Sequence, residues 1–266
     1  WRDTEIRKAE EENANKTVAE EKQPVNEHMV DKNGIMKEDS EYYDFNHETE
    51  IQDATDKAVS VQKLVKQSTC TTEELYRYLS VCAGAEAATN YQKTGNWPEG
   101  VQIPKSSAVL NAEGDVDWDQ APQNGYTLNA DGTPKRERYT IRAGEIIDRF
   151  GGAGGRYVCP VIQDQAFTYS QRSLPYIENP ADYHRYKVIG DFAELEAYIA
   201  DCVDAELKAE ITEYVEKYYN GDYSTTVAYR GEAAAVQGWG EGGAIQYELP
   251  LKIEWLIQLG LIKEIK

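Results

Sequence analysis

Residues 146–160 read IIDRFGGAGGRYVCP. The branched apolar pair Ile146-Ile147 begins a strand. Four glycines within Gly151–Gly155 follow, and they read as a tight hairpin turn. The same glycines could present backbone N–H groups to a phosphate. Yet the stretch lacks the Gly-Lys-Ser/Thr ending of a P-loop, and no glycine fingerprint leads into a helix. Two flanking residues sharpen the interest. Arg149, just before the turn, offers a planar donor fork suited to phosphate, and Tyr157, just after it, offers a stacking face.

Strand and helix signals continue on both sides. Tyr139-Thr140-Ile141 and Glu145-Ile146-Ile147 read as strands flanking Ala143-Gly144, and His184–Ile189 alternates Tyr186 and Val188 with Arg185 and Lys187. Asp191 with Glu194 predicts a capping box. Beyond it Leu195, Ile199, Cys202, Leu207, Ile211, Tyr214 and Tyr218 form a helical stripe, in one helix or two, that Asn220-Gly221 ends. A short helix is expected around Ile253–Leu259, stopped by Gly260, then a final strand Leu261–Ile265. Upstream, Ile51, Ala54, Ala58, Val61 and Val65 mark an amphipathic helix. Thr71 and Glu74 predict a capping box for a second helix carrying Leu75, Leu79 and Cys82. Residues 51–92 therefore read as a structural helical hairpin. Residues 93–140, with NWPEG, APQNGY and NADGTP, read as loops with a few short strands. The class is α+β: a mixed or antiparallel sheet core with peripheral helices.

Composition limits partners and chemistry. Of 266 residues, 41% are apolar, enough for a sizeable core, and the net charge is −19. That charge argues against nucleic acid or an anionic membrane as partner. No apolar run approaches the roughly 18 residues that a spanning helix needs. Residues 1–50 are dominated by charge, Asn and Gln. The first 60 residues hold eight basic and 17 acidic side chains, about half the net charge, so 1–50 read as an acidic, flexible linker or leader or a solvated helix, with a partner-binding arm as the alternative. The chain opens at Trp1 without a signal-like stretch and reads as a fragment of something longer. The histidines are His28, His47 and His184, and only the last lies outside the leader. Cys70, Cys82, Cys159 and Cys202 show no CxxC spacing and no clustering with histidine, which argues against a zinc site and leaves two disulfides or free thiols equally open. With 19 tyrosines against four phenylalanines, a wet, aromatic-lined surface is expected more than a dry core.

Three further stretches could carry chemistry: YSQRSLPY (169–176) with Arg172, DYHRYKV (182–188) with His184, and WGEGGAIQYELP (239–250) with Gln246. Each has an ordinary reading: a surface ion pair, a satisfied histidine, and a glycine loop entering a strand. Their order and spacing say more. DRFG, a GRY whose tyrosine lies eight residues after Arg149, RSLP, YHRYKV and GGAIQYELP together resemble the tuberculosis necrotizing toxin domain family. WDQAPQNGY upstream and LIQLGLIKE at the C-terminus are similar to that family too, so the resemblance spans roughly residues 93–266.

The resemblance implies NAD glycohydrolase activity, cleaving NAD or NADP to nicotinamide and ADP-ribose, without a metal and with no cofactor beyond NAD(P) as substrate. It implies a fold distantly like the ADP-ribosyltransferase toxins, and a C-terminal toxin domain of a larger secreted protein. An upstream delivery region would carry that domain into a target cell, and a cognate immunity protein would neutralise it. Carried over residue by residue, the catalytic positions fall on Arg149, Tyr157, Arg172, His184 and Gln246. Phe150, Gly151, Trp239 and Gly243 are expected to bind substrate. Nicotinamide is already cationic on its ribose and leaves as a neutral molecule. The task is then to hold the pyrophosphate, exclude water and stabilise an oxocarbenium-like ribose. On this reading Arg149 and Arg172 clamp the phosphates and Tyr157 packs on the nicotinamide or its ribose. Gln246 bonds ribose hydroxyls or positions the water, and His184 orients the substrate or handles the proton. The net charge implies a locally basic cleft around Arg142, Arg149, Arg156 and Arg172. The stretches 191–219 and NADGTPKRERYT are longer than the family's usual connections; the first could be a lid, a docking surface or an inert insertion. Two other functions stay in view. Mono-ADP-ribosyl transfer would need Glu241 or Glu248 beside Gln246, and a degenerate, non-catalytic member would serve as an interaction module.

Overall fold

The computed structural model describes residues 61–265, all within one compact unit, Glu41–Lys266. The acidic leader over 1–50, the hairpin's first part over 51–60, and His28 and His47 lie outside the described residues.

Residues 61–65 are helical, and two helices follow. Helix α1 (Thr72–Cys82) starts with the expected capping box: Thr71 Oγ1 accepts from Glu74 N, while the Glu74 carboxylate accepts from Thr71 N at 2.7 Å. Such a cap contributes about 1 kcal/mol. Helix α2 (Ala85–Thr94) ends on Gly95 in the left-handed region. Leu75, Tyr78, Leu79 and Ala88 bury against Trp97, Ile103, Val109, Val116, Val236 and Trp239. The two helices thus share a core with loops from the middle and the end of the chain.

Seven strands form the sheet: β1 (Arg136–Tyr139), β2 (Ile146–Phe150), β3 (Tyr157–Pro160), β4 (Tyr183–Val188), β5 (Ala228–Glu232), β6 (Ile245–Glu248) and β7 (Ile262–Ile265). Their order is β1-β5-β6-β3-β2-β4-β7, and every pairing is antiparallel. The α+β class with an antiparallel sheet is therefore borne out. The glycine loop of 151–156 is the turn between paired strands β2 and β3, as the sequence suggested.

Three local expectations fail. Tyr139–Ile141 is not a strand: β1 ends at Tyr139, and Ile141 is fully buried in a loop. Gly144 (φ 97) then turns the chain into β2, with the Glu145 carboxylate accepting from Arg142 N. Asp191 and Glu194 form no capping box. Asp191 accepts from no helix N–H; a 3-10 turn, Phe192–Glu194, intervenes before α3 (Leu195–Ala200). The long stripe splits over 201–204, and α4 (Ala205–Tyr219) is capped by Asp204, which accepts from Glu206 N and Leu207 N. Tyrosine is also a core residue in this protein: Tyr78, Tyr126, Tyr169, Tyr183, Tyr186 and Tyr247 are all buried. Tyr78 and Tyr183 use the hydroxyl that a phenylalanine lacks, donating to Gln102 O and to Asp148.

Helix α4 buries Leu207, Ile211 and Val215 and ends on Asn220 (φ 52). Its Tyr214 meets Trp255 edge-on at 5.2 Å, Trp255 belonging to α5 (Ile253–Gln258). The stretch 191–219 is thus packed onto the domain by its own apolar face. The four cysteines are all free thiols.

Candidate active site

A cavity of about 510 Å³ opens beside the β2–β3 hairpin and the start of β6. Of the nine residues that the sequence nominated, it gathers Arg149, Phe150, Tyr157, Arg172, Trp239 and Gln246 in its wall. The sheet register explains part of this convergence. Tyr157 lies opposite Glu248, and Gln246 is two residues before Glu248, so both project from one face. Asp148 lies opposite Cys159, which carries Phe150 to that face as well.

Gln246 is oriented by a bond from Nε2 to the backbone oxygen of Asn124, at 3.0 Å. Asn124 (φ 57) sits in the turn Gln123–Gly125, which supplies the facing wall. Ser173, also in the wall, holds a left-handed φ of 53; its hydroxyl accepts from Val236 N. Strain of this kind in a non-glycine residue costs about 1–3 kcal/mol and is held only where surrounding bonds over-determine it.

Arg149 occupies the end of β2. Its Nε donates to Gly151 O at 3.0 Å. Its Nη1 is buried without a hydrogen-bond partner, and among the described residues no carboxylate pairs with it. Burial pushes its pKa down, with Tyr186 opposing. The glycine loop exists in this form because of that side chain: a Cβ at Gly155 would lie 1.9 Å from Nη1. Gly155 is therefore small to make room for a guanidinium, whereas Gly151 adopts a φ of 94 that glycine favours.

Arg172 has a different environment. Its Nη1 lies 2.7 Å from Asp148 Oδ1 and Nη2 donates to Oδ2 at 2.8 Å, while Nε donates to Phe167 O. Asp148 is fully buried and also accepts from Tyr183 OH at 2.6 Å. Burial opposes the charge on Arg172, but the Asp148 carboxylate more than offsets it and the guanidinium stays firmly protonated. Its carbon lies 5.2 Å from the centre of the Phe150 ring. Arg172 thus supports Phe150 from within the wall, with Nε, Nη1 and Nη2 each engaged by Phe167 or Asp148.

His184 is not part of the wall. It lies opposite Arg149 on β4, on the sheet face away from Gln246, and its Nδ1 sits 2.7 Å from Glu264 Oε1 on β7. Gly243 is engaged in the β5–β6 connection through a bond to Ala233 O. Gly151 stands beside the wall residue Gln102, and its N–H bonds Asp182 O. The expected cluster of four arginines does not assemble: Arg142 is exposed outside the wall, and Arg156 donates to Glu248.

The site also has members that the residue-type search passed over. Trp118, Ala121, Pro122, Asn124 and Gly125 line it, and all belong to WDQAPQNGY, quoted above only as a resemblance. Trp118 meets Trp239 at 5.4 Å and Tyr176 at 6.4 Å, both edge-to-face, forming an aromatic side. Gln102 also lines the cavity, and its carbonyl accepts from Tyr78 OH on α1.

The family described as tuberculosis necrotizing toxin matches over residues 140–206, which contain Arg149, Tyr157, Arg172 and His184. Over this segment the chain is similar to that family. Gln246, Trp239 and Trp118 lie outside the matched residues. Among solved structures, the tuberculosis necrotizing toxin complexed with its immunity factor is similar at 18% identity and a TM-score of 0.34, covering 58% of this chain. The chain spans 65% of that structure's length, just under two thirds. No curated protein matches. No described helix is long and apolar enough to cross a membrane, and among the described residues no group of three or more His, Cys, Asp or Glu could hold a metal ion.

Proposed function

We propose that the cavity binds NAD or NADP and hydrolyses the nicotinamide–ribose bond, making this a toxin domain that depletes a target cell of NAD. One observation carries the reading: a half-buried guanidinium, Arg149, whose Nη1 is buried without a hydrogen-bond partner and which no carboxylate pairs among the described residues, in the wall of an aromatic-lined cavity that also holds Gln246 and Tyr157. Leaving a buried cation unpaired is costly, and a pyrophosphate would supply the missing charge. Gln246, with Nε2 committed to Asn124, offers Oε1 to a ribose hydroxyl or to the attacking water. Tyr157 and Phe150 flank the nicotinamide ribose and keep bulk water from the cationic centre as nicotinamide departs. Arg172 is assigned to holding Phe150, and His184 has no substrate contact in this proposal. Delivery as part of a larger secreted toxin, and neutralisation by a cognate immunity protein, belong to the same reading.

The transferase alternative needs a free carboxylate near Gln246. Both Glu248 oxygens are engaged, one by Arg136 and the other by Arg156 at 3.1 Å, so Glu248 is held as a bridge between strands. The test is nicotinamide release from NAD in EDTA by wild type and Gln246→Ala side by side. Release by wild type alone supports the proposal. Silence from a folded wild type that binds NAD would leave an interaction module.

A further inference from the structure

Trp118 is 54% exposed, yet it belongs to the cavity wall. An apolar ring of that size held at a cavity mouth invites a ligand. It is also held firmly. The 3-10 turn Trp118–Gln120 is tied to the buried strand-like pair around Val109 and Val116: Asp117 N donates to Val109 O at 2.9 Å, and Gln120 Nε2 donates to Ala108 O and to the Asp117 carboxylate. Val109 and Val116 belong to the core cluster with α1 and α2. Trp239 and Tyr176 support the indole from within the cavity.

From Trp118 the chain runs along the rim through Ala121, Pro122 and Asn124, where the backbone oxygen receives Gln246. Trp118 and the Gln246 contact therefore mark the two ends of one rim segment. The scissile ribose belongs at the Gln246 end. The opposite end of a dinucleotide carries a second heteroaromatic base, which needs a stacking surface and tolerates solvent.

We propose that Trp118 is the stacking platform for the adenine of the dinucleotide, and so sets the preference for a dinucleotide over a mononucleotide. This rests on the glycohydrolase reading of the same cavity. Stacking on an aromatic ring changes affinity by on the order of tenfold or more per base. The experiment compares wild type, Trp118→Leu and Trp118→Phe on NAD and on nicotinamide mononucleotide, with AMP binding followed by titration calorimetry and folding checked by thermal midpoint. For Trp118→Leu, KM for NAD should rise about tenfold with kcat nearly unchanged, KM for the mononucleotide should hold, and AMP binding should weaken in step. Trp118→Phe, which keeps a ring, should recover most of the loss. An equal KM rise for both substrates would overturn the assignment, as would no change for either. If wild type hydrolyses neither substrate, the glycohydrolase reading fails alone: Trp118-dependent AMP binding would then still support the platform, and AMP binding unaffected by Trp118→Leu would sink it.

Discussion

Replacing Arg172 by Met separates two roles that the sequence could not. If Arg172 is scaffold, the substitution leaves the fully buried Asp148 with only the Tyr183 hydroxyl, where it now has two guanidinium contacts of 2.7 and 2.8 Å. Removing one partner of a buried ion pair costs about 3–5 kcal/mol, because the remaining charge is stranded. For a domain of this size each kcal/mol moves the melting midpoint by roughly 2–4 °C, so a drop on the order of 10 °C is expected by calorimetry. Arg172→Met combined with Asp148→Leu should regain most of that loss, since an apolar pair of similar volume is often as stable as the ion pair it replaces. Arg172→Met that melts within about 2 °C of wild type, while NAD affinity falls at least about tenfold, would refute the scaffold role and return Arg172 to the phosphates.

Arg149→Met removes a buried charge without a counter-ion. The unliganded protein should melt no lower than wild type, while ADP-ribose at about 100 times its dissociation constant, which should stabilise wild type by about 2.7 kcal/mol, should no longer shift the midpoint. Gly155→Ala puts a methyl where Nη1 lies, displacing Arg149; KM for NAD should rise several-fold with little change in α-helix content by circular dichroism. Burial raises the pKa of Glu145 above 4.5, so its favourable contribution is fully present below that value and is lost as pH rises through the raised one. Glu145→Gln, which still accepts from Arg142 N, should therefore gain stability relative to wild type between about pH 4 and about pH 7 in urea titrations.

Local rules recovered what is decided locally. Thr71 and Glu74 are three residues apart and close their own capping box, and Asn220-Gly221 ends a helix through its own φ preference. Strand β4 announces itself by the alternation of Tyr186 and Val188, both buried, with the exposed Lys187 between them. Asp191 and Glu194 have the same spacing as a capping box, but the backbone enters a 3-10 turn there and the side chain of Asp204 caps α4 instead. The sheet order could not be read, because β1 pairs with β5 across almost 90 residues of intervening chain and no periodicity encodes such a partner. The same limit hid Trp118, Asn124 and Gln102, which reach the cavity from loops whose residue types suggest only turns.

Arg149 and Arg172 show why residue type and spacing decide a family sooner than they decide a role. Both are arginines at matching motif positions, and both are at least partly buried beside one cavity. What separates them is the alternation of β2. Asp148 projects to the cavity face and meets Arg172 there, and the two charges satisfy each other. Arg149, one residue on, starts from the opposite face and turns back over Gly155, out of reach of Asp148. A single strand position thus makes one guanidinium part of the scaffold and leaves the other with its charge unspent. A protein that keeps such a charge buried loses stability unless something anionic arrives, so the cost at Arg149 is itself an affinity for a ligand. On the proposed function, the aromatic side formed by Trp118, Tyr176 and Trp239 suits an anion carrying flat rings, which a dinucleotide is and a free phosphate is not.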